Sequence, residues 1–152
     1  LSIVEQLDKE FKEALKSRNE LKVSVIRMIK ASLKNKSIEK MVPLAEDDEV
    51  AVLSSLAKQR RESIEQFTLA GRTDLVEKEK KELEIIQSYL PKQLTAEEID
   101  NIILSAIKES NASSQSDMGK VMKIVAPKIK GVADGKVVSE RVKELLSKTQ
   151  AS

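Results

Sequence analysis

The stretch EDDEVAVLSSLAKQRRESIEQFTLAGRTDLVEKEKKELEIIQSYL, residues 46–90, decides the fold. Val50, Leu53, Ala57, Ile64 and Phe67 recur at three- and four-residue intervals, the spacing that lines one face of an α-helix. Arg60 falls inside that seam. Gly71 follows the last apolar position and supplies the left-handed backbone on which helices commonly stop. The pattern restarts near Thr73 with Val76, Leu83, Ile86 and Leu90, and Pro91 closes it. Two long helices joined by so short a link are expected to fold back as an antiparallel hairpin. The four acids that open the stretch, Glu46-Asp47-Asp48-Glu49, invite a metal reading. The stronger reading is that they complement the positive end of a helix macrodipole.

Toward the N-terminus, Ile3, Leu7, Phe11, Ala14 and Leu15 mark a first helix, and Ser17-Arg18-Asn19 a turn. A second helix, residues 20–38, carries Leu21, Val25, Met28, Ile29 and Leu33 on one face. Val23 and Ile26 widen that stripe, so the helix is expected to pack against more than one neighbour.

Toward the C-terminus, Leu94-Thr95-Ala96-Glu97-Glu98-Ile99 is the clearest start signal in the chain. Thr95 and Glu98 have the spacing of a capping box, and Leu94 and Ile99 that of a hydrophobic staple. A helix over residues 96–109, a polar turn over 111–116, and a helix over 117–126 ending before Pro127 are expected next. Asp134 can cap a last helix running to about Leu146, with Val137, Val138, Val142, Leu145 and Leu146 inward. No segment alternates as a strand would. The reading is therefore all-α: an N-terminal helical domain with a long hairpin, residues 1–92, and a small C-terminal helical domain, residues 93–152.

Composition excludes more than it suggests. Aromatics make up 2% of the chain (Phe11, Phe67 and Tyr89), so the core must be aliphatic and no stacking platform for single-stranded nucleic acid exists. Without Cys there is no disulfide and no thiolate. Without His the commonest general base and metal ligand are gone, and no metal or cofactor is expected. Net charge is +2, so any basic site must be local. No apolar run approaches the ~20 residues that span a bilayer, and no signal-peptide pattern opens the chain. A soluble cytoplasmic protein is expected.

The strongest local signal is Asp117-Met118-Gly119-Lys120-Val121-Met122 followed by Lys128-Ile129-Lys130-Gly131-Val132-Ala133-Asp134-Gly135. Three of the four glycines lie here, and Gly119 interrupts a helical pattern at a cost of roughly 1 kcal/mol relative to alanine. Close helix packing or close approach of a ligand backbone would explain it. Lys120, Lys123, Lys128, Lys130 and Lys136 leave an excess of three positive charges over Asp117 and Asp134. Phosphate contact by these lysines, with Gly119 and Gly131 permitting close approach, is one reading. An ordinary solvated lysine face with glycines serving packing is the other, and composition alone favours it. Arg27, Lys30 and Lys34, flanked by Lys22, Lys36 and Lys40, form a second basic stripe, better read as a solvated amphipathic helix. Lys58-Gln59-Arg60-Arg61-Glu62 reads as structural ion pairing with Glu62 and Glu65. A Ser113-Ser114 nucleophile has no surrounding Gly-rich loop to support it.

Several motifs in fixed order resemble the bacterial YqeY family: Ser24-Val25-Ile26-Arg27-Met28, residues 58–67, residues 70–75, residues 88–94 and the Gly119/Gly131 motif. Leu44-Ala45 departs from it where a Thr or Ser cap is expected. The resemblance spans essentially the whole chain. It implies a C-terminal domain similar to the tail of GatB, a subunit of the glutamine-dependent Asp/Glu-tRNA amidotransferase. The tail's pattern falls here on Gly119, Val121, Met122, Lys130, Gly131 and Ala133. That tail contacts tRNA, while glutamine hydrolysis and ammonia transfer belong to parts this chain does not resemble. The resemblance thus implies a non-catalytic module that binds tRNA or a structured RNA through Gly119, Lys120, Lys123, Lys128, Lys130, Gly131 and Lys136. The alternatives are a protein-interaction adaptor for an amidotransferase or synthetase, and a component of a glutamine-dependent carbon–nitrogen ligase whose catalysis other subunits supply.

Overall fold

A computed structural model describes residues 1–151, with side chains described through residue 149. Among the described residues there are seven α-helices and no strand: α1 Ile3–Lys16, α2 Glu20–Lys40, α3 Glu46–Leu69, α4 Thr73–Gln87, α5 Ala96–Ser110, α6 Met118–Ile129 and α7 Gly135–Ala151. A single 3-10 turn, Gln115–Asp117, precedes α6. The chain divides into two compact units, Leu1–Pro91 and the residues from Lys92 onward.

The first unit has an aliphatic core in which Leu7, Ile26, Ile29, Leu53 and Ile86 lose all contact with solvent. The apolar stripe of α2 is broad, with Val23, Val25, Ile26, Ile29 and Leu33 all buried. It packs against α1, α3 and α4. Helices α3 and α4 pack along each other over most of their length. Their link is a Schellman turn: Gly71 adopts φ 69°, its N–H reaches Thr68 O at 3.1 Å, and Arg72 N–H reaches Phe67 O at 2.9 Å. Helix α1 ends the same way with Arg18 at φ 56°, its N–H on Leu15 O at 3.3 Å and that of Asn19 on Ala14 O at 2.9 Å. A side chain in that backbone region costs on the order of 1 kcal/mol. Met41 likewise ends α2 at φ 60°.

Arg60 is the polar exception within the apolar seam. It pairs across the hairpin with Glu82 at 2.9 Å and Glu79 at 3.5 Å, each side chain under one fifth exposed. Structural ion pairing is thus what Arg60 does, but its partners come from α4, because Arg60 faces the neighbouring helix instead of its own solvent side. At the start of α3, Ala45 has no oxygen to cap with. Asp48 instead accepts the Ala45 N–H at 3.0 Å.

In the second unit, Ile103, Ala106, Val121, Val125, Val138, Val142 and Leu146 from α5, α6 and α7 form a fully buried core. Thr95 accepts the Glu98 N–H at 3.1 Å, which is one half of the expected box. Leu94 and Ile99 pack against the core as a staple should. Arg141 on α7 grips Asp100 on α5 through two bonds of 2.7 and 2.8 Å. Helix α6 runs through Pro127 to Ile129 instead of stopping before it. Pro127 removes the N–H of one helical bond, and its ring crowds the carbonyl one turn back. Burial of Val125 and Ile129, four residues apart on either side of it, holds that last turn in place.

Arg60→Ala should lower the stability of the first unit by about 2 kcal/mol, because it leaves two partly buried carboxylates unpaired. Thr95→Ala should cost about 1 kcal/mol in the second unit. Urea titration followed by circular dichroism checks both, and a loss below about 0.5 kcal/mol for Arg60→Ala would contradict the pairing.

Candidate nucleic-acid interface

The corner between α6 and α7 is built by backbone. Gly131 turns at φ 79°, and the N–H groups of Val132 and Ala133 both reach Ile129 O at 3.0 Å. Leu94 N–H donates to Val132 O at 2.8 Å, and Gln93 Nε2 donates to Gly131 O at 3.0 Å. The segment before α5 thereby fixes the corner from which Lys128, Lys130 and Lys136 emerge, all three exposed. Asp134 Oδ1 accepts the Lys136 N–H at 3.1 Å. The Asp134 carboxylate thus occupies the start of α7, and a phosphate there would have to compete with it.

Gly131 earns its place by its positive φ, and it is only half-exposed. Gly119 is different. It is the second residue of α6, exposed, and a Cβ there would meet nothing within 4 Å. Helix packing therefore does not explain it. Gly119, Lys123 and Ala126 follow i, i+4, i+7 spacing, and Lys120, Lys123 and Pro127 follow i, i+3, i+7; all five are exposed and form one strip. The strip is flat where Gly119 and Ala126 lie and basic where the lysines stand.

The five lysines do not form one tight cluster. Lys120 and Lys123 lie about 60° apart around the α6 axis, whereas Lys128 lies about 80° to the other side of Lys120 and about 12 Å further along. The result is a broad basic arc on α6 with a second group at the corner. Lys123, Lys128 and Lys130 have no carboxylate partner among the described residues. Lys120 has a loose one, Asp117 at 3.6 Å, and its side chain is 71% exposed. Asp117 is engaged elsewhere: its Oδ2 accepts the Ser113 N–H at 2.9 Å. That bond, with help from the Ser114 N–H and Lys120, holds its carboxyl below the ordinary 3.8.

Other candidates resolve into structure. On α2, Lys22 pairs with Glu10 at 2.9 Å, Lys30 with Asp8 at 2.7 Å, Lys36 with Glu39 at 3.6 Å and Lys40 with Asp48 at 2.7 Å. Arg27 and Lys30 also sit over the Phe11 ring, 5.6 and 5.4 Å from its centre. Acids from α1, α2 and α3 thus pair with Lys22, Lys30, Lys36 and Lys40 of that stripe. Among the described residues no group of three acids could hold a metal ion. Asp48 serves Lys40 and Ala45, while burial and the neighbouring Glu46 push Glu49 above its ordinary range. Ser114 Oγ bonds Ser116 Oγ at 2.7 Å, and the Ser113 N–H goes to Asp117, so neither serine is set against a base. No helix among the described residues is long and apolar enough to cross a membrane.

An all-α protein with an exposed basic helix in its second unit is a class with many members. The chain belongs to the YqeY family: residues 4–146 match the family described as Yqey-like protein. Similar proteins include altered inheritance of mitochondria protein 41, mitochondrial, from three fungi. The Lachancea thermotolerans protein is 36% identical over 124 residues, which cover 76% of this chain and 65% of that relative. The Pyrenophora tritici-repentis protein is 32% identical over 95% of this chain and 81% of its own length. A Saccharomyces cerevisiae protein is 30% identical over 78% and 68% respectively. This chain therefore spans just under two thirds of the first of these relatives. The fungal, mitochondrial relatives overturn the expectation of a bacterial, cytoplasmic protein.

The Asp117 shift has a pH consequence. A carboxyl held below 3.8 when folded stabilises the fold fully above that value, and the contribution is lost as pH falls through the lower folded value. Thermal melts between pH 6 and pH 2 should therefore show a steeper acid loss for the natural chain than for Asp117→Asn. Identical acid limbs would contradict the assignment.

Proposed function

We propose that the chain is an RNA-binding accessory module that contributes recognition rather than chemistry. Its second unit is a helical domain of the GatB-tail type, and its ligand is tRNA or a tRNA-like folded RNA. One observation carries the proposal: Lys123, Lys128 and Lys130 are exposed without carboxylate partners, whereas most cations on α2 are paired. Over the ~12 Å of α6 between Lys120 and Lys128, a duplex presents about seven backbone charges. The bare strip at Gly119 and Ala126 gives a sugar–phosphate chain room to lie close to the helix. Phosphate contact on a folded shape is the mode that suits a chain without stacking aromatics. The absence of Cys and His also leaves the chain without the side chains that most often carry glutaminase or general-base chemistry. An amidotransferase or a synthetase is the kind of protein such a module would serve.

The test is a tRNA titration at several salt concentrations. Binding should weaken linearly in log–log coordinates. The triple variant Lys123→Glu, Lys128→Glu, Lys130→Glu should lose at least tenfold in affinity at low salt and reduce the magnitude of the salt slope by about three. An unchanged slope in a variant that melts like the natural chain would overturn the reading.

A further inference from the structure

A second surface of the second unit lies along the seam between α5 and α7. Helices α5, α6 and α7 pack pairwise around one core, so this seam faces away from α6. Ala96 and Val137 line one end of a shallow groove of about 260 Å³, and the Asp100–Arg141 pair crosses it one turn further on. Glu140 and Glu144 form its α7 wall. Three carboxylates against one guanidinium leave the groove with two net negative charges.

Among the described residues, the large apolar side chains that the second unit exposes are Leu104, at 49%, and Val137, at 51%. They stand on either side of the Asp100–Arg141 pair: Leu104 follows Asp100 by one turn of α5, and Val137 precedes Arg141 by one turn of α7. Because Ala96 and Val137 share one end of the groove, α5 and α7 run in the same direction. The two apolar knobs are therefore about 12 Å apart along the seam. Lys108 and Lys148, one turn beyond Leu104 and Glu144, make the far end of the seam basic.

The exposed strip of α6 is the counterpart of this seam. Gly119 and Ala126 are two hollows about 10.5 Å apart, with Lys123 between them. A Cβ at Gly119 would meet nothing within 4 Å in its own chain, so the missing side chain leaves room for something outside it. The strip also has a charge direction, since Asp117 precedes it and Lys130 follows it.

We infer that the α6 strip of one copy docks in the α5–α7 seam of a second copy. Leu104 enters the hollow at Gly119 and Val137 the hollow at Ala126, while Lys123 faces Glu140 and Glu144. The Asp117 end of the strip then falls at the Lys108–Lys148 end of the seam, so α6 runs antiparallel to the helices that receive it. Strip and seam are different surfaces of the chain. The contact is therefore head-to-tail and extends from copy to copy instead of closing as a dimer. The strip is also the proposed RNA surface, so RNA and a neighbouring copy exclude one another. That exclusion rests on the RNA reading, whereas the association itself does not.

Sedimentation of the full chain tests the contact. At about 25 mM salt the weight-average mass should climb above 16.9 kDa as the chain is concentrated from about 20 to about 500 μM, with no plateau at twice that value. In about 0.5 M salt it should return to the monomer. Gly119→Leu fills one hollow and Leu104→Glu removes one knob. Each variant should stay monomeric and melt no lower than the natural chain, since both positions are open to solvent. Mixed in equal amounts they should form a dimer and nothing larger, because Gly119→Leu keeps an intact seam and Leu104→Glu an intact strip. A monomeric natural chain, a plateau at the dimer, variants that associate as the natural chain does, or a mixture that stays monomeric would each overturn the contact. A last arm adds an unmodified tRNA transcript, which should dissociate the copies. Failure of tRNA to bind the monomer contradicts the RNA reading alone, and tRNA that binds without dissociating the copies contradicts the shared surface.

Discussion

With only three aromatic side chains, both units depend on tight packing of branched aliphatic groups. Each such contact is weak, and the core is strong only because many are made at near-crystalline density. Helices suit that constraint, since a face of Val, Ile and Leu at three- and four-residue spacing interlocks with the same face of a neighbour. The cores centred on Ile26, Leu53 and Ile86 in one unit, and on Ile103, Val125 and Val142 in the other, are built this way. Apolar packing of this kind is poor at choosing one register over another. Arg60 with Glu79 and Glu82 in the first unit, and Arg141 with Asp100 in the second, add directional contacts between helices.

The same division of labour shapes the proposed interface. A lysine that serves the fold is matched with an acid, as Lys22, Lys30 and Lys40 are. Lys123 and Lys128 on α6 and Lys130 at its corner lack carboxylate partners among the described residues, although the chain as a whole is nearly neutral. Gln93 and Leu94 restrain the Gly131 corner from outside it, so those cations project from a fixed backbone. Asp117 turns toward the loop before α6 and leaves the flat, basic side of that helix to solvent.

Much of this was legible in the residues, for identifiable reasons. Helical period, the Gly71 stop and the Leu94–Thr95–Ile99 start are local signals, and local signals survive folding. What depends on a distant partner was not legible. Nothing near Arg60 names Glu79 and Glu82, and nothing near Lys30 names Asp8. Pro127 reads as a stop because its ring opposes helix, yet Val125 and Ile129 bury themselves around it and the helix continues. The turn at Ser17-Arg18-Asn19 is legible, but the left-handed backbone at Arg18 and Met41, where glycine is expected, carries no sequence flag. Gly119 stands out in the sequence as a glycine within a helical pattern, but the open space around it shows that helix packing within the chain is not its reason.

The central claim is that RNA meets the second unit along α6 and its corner. The most direct measurement is an amide NMR titration of the full chain with an unmodified tRNA transcript at low salt. Shifts and broadening should concentrate at Gly119, Lys123, Lys128, Lys130 and Gly131, and leave Arg27 and Lys34 on α2 unchanged. Perturbations centred on α2, or none at all, would contradict the account.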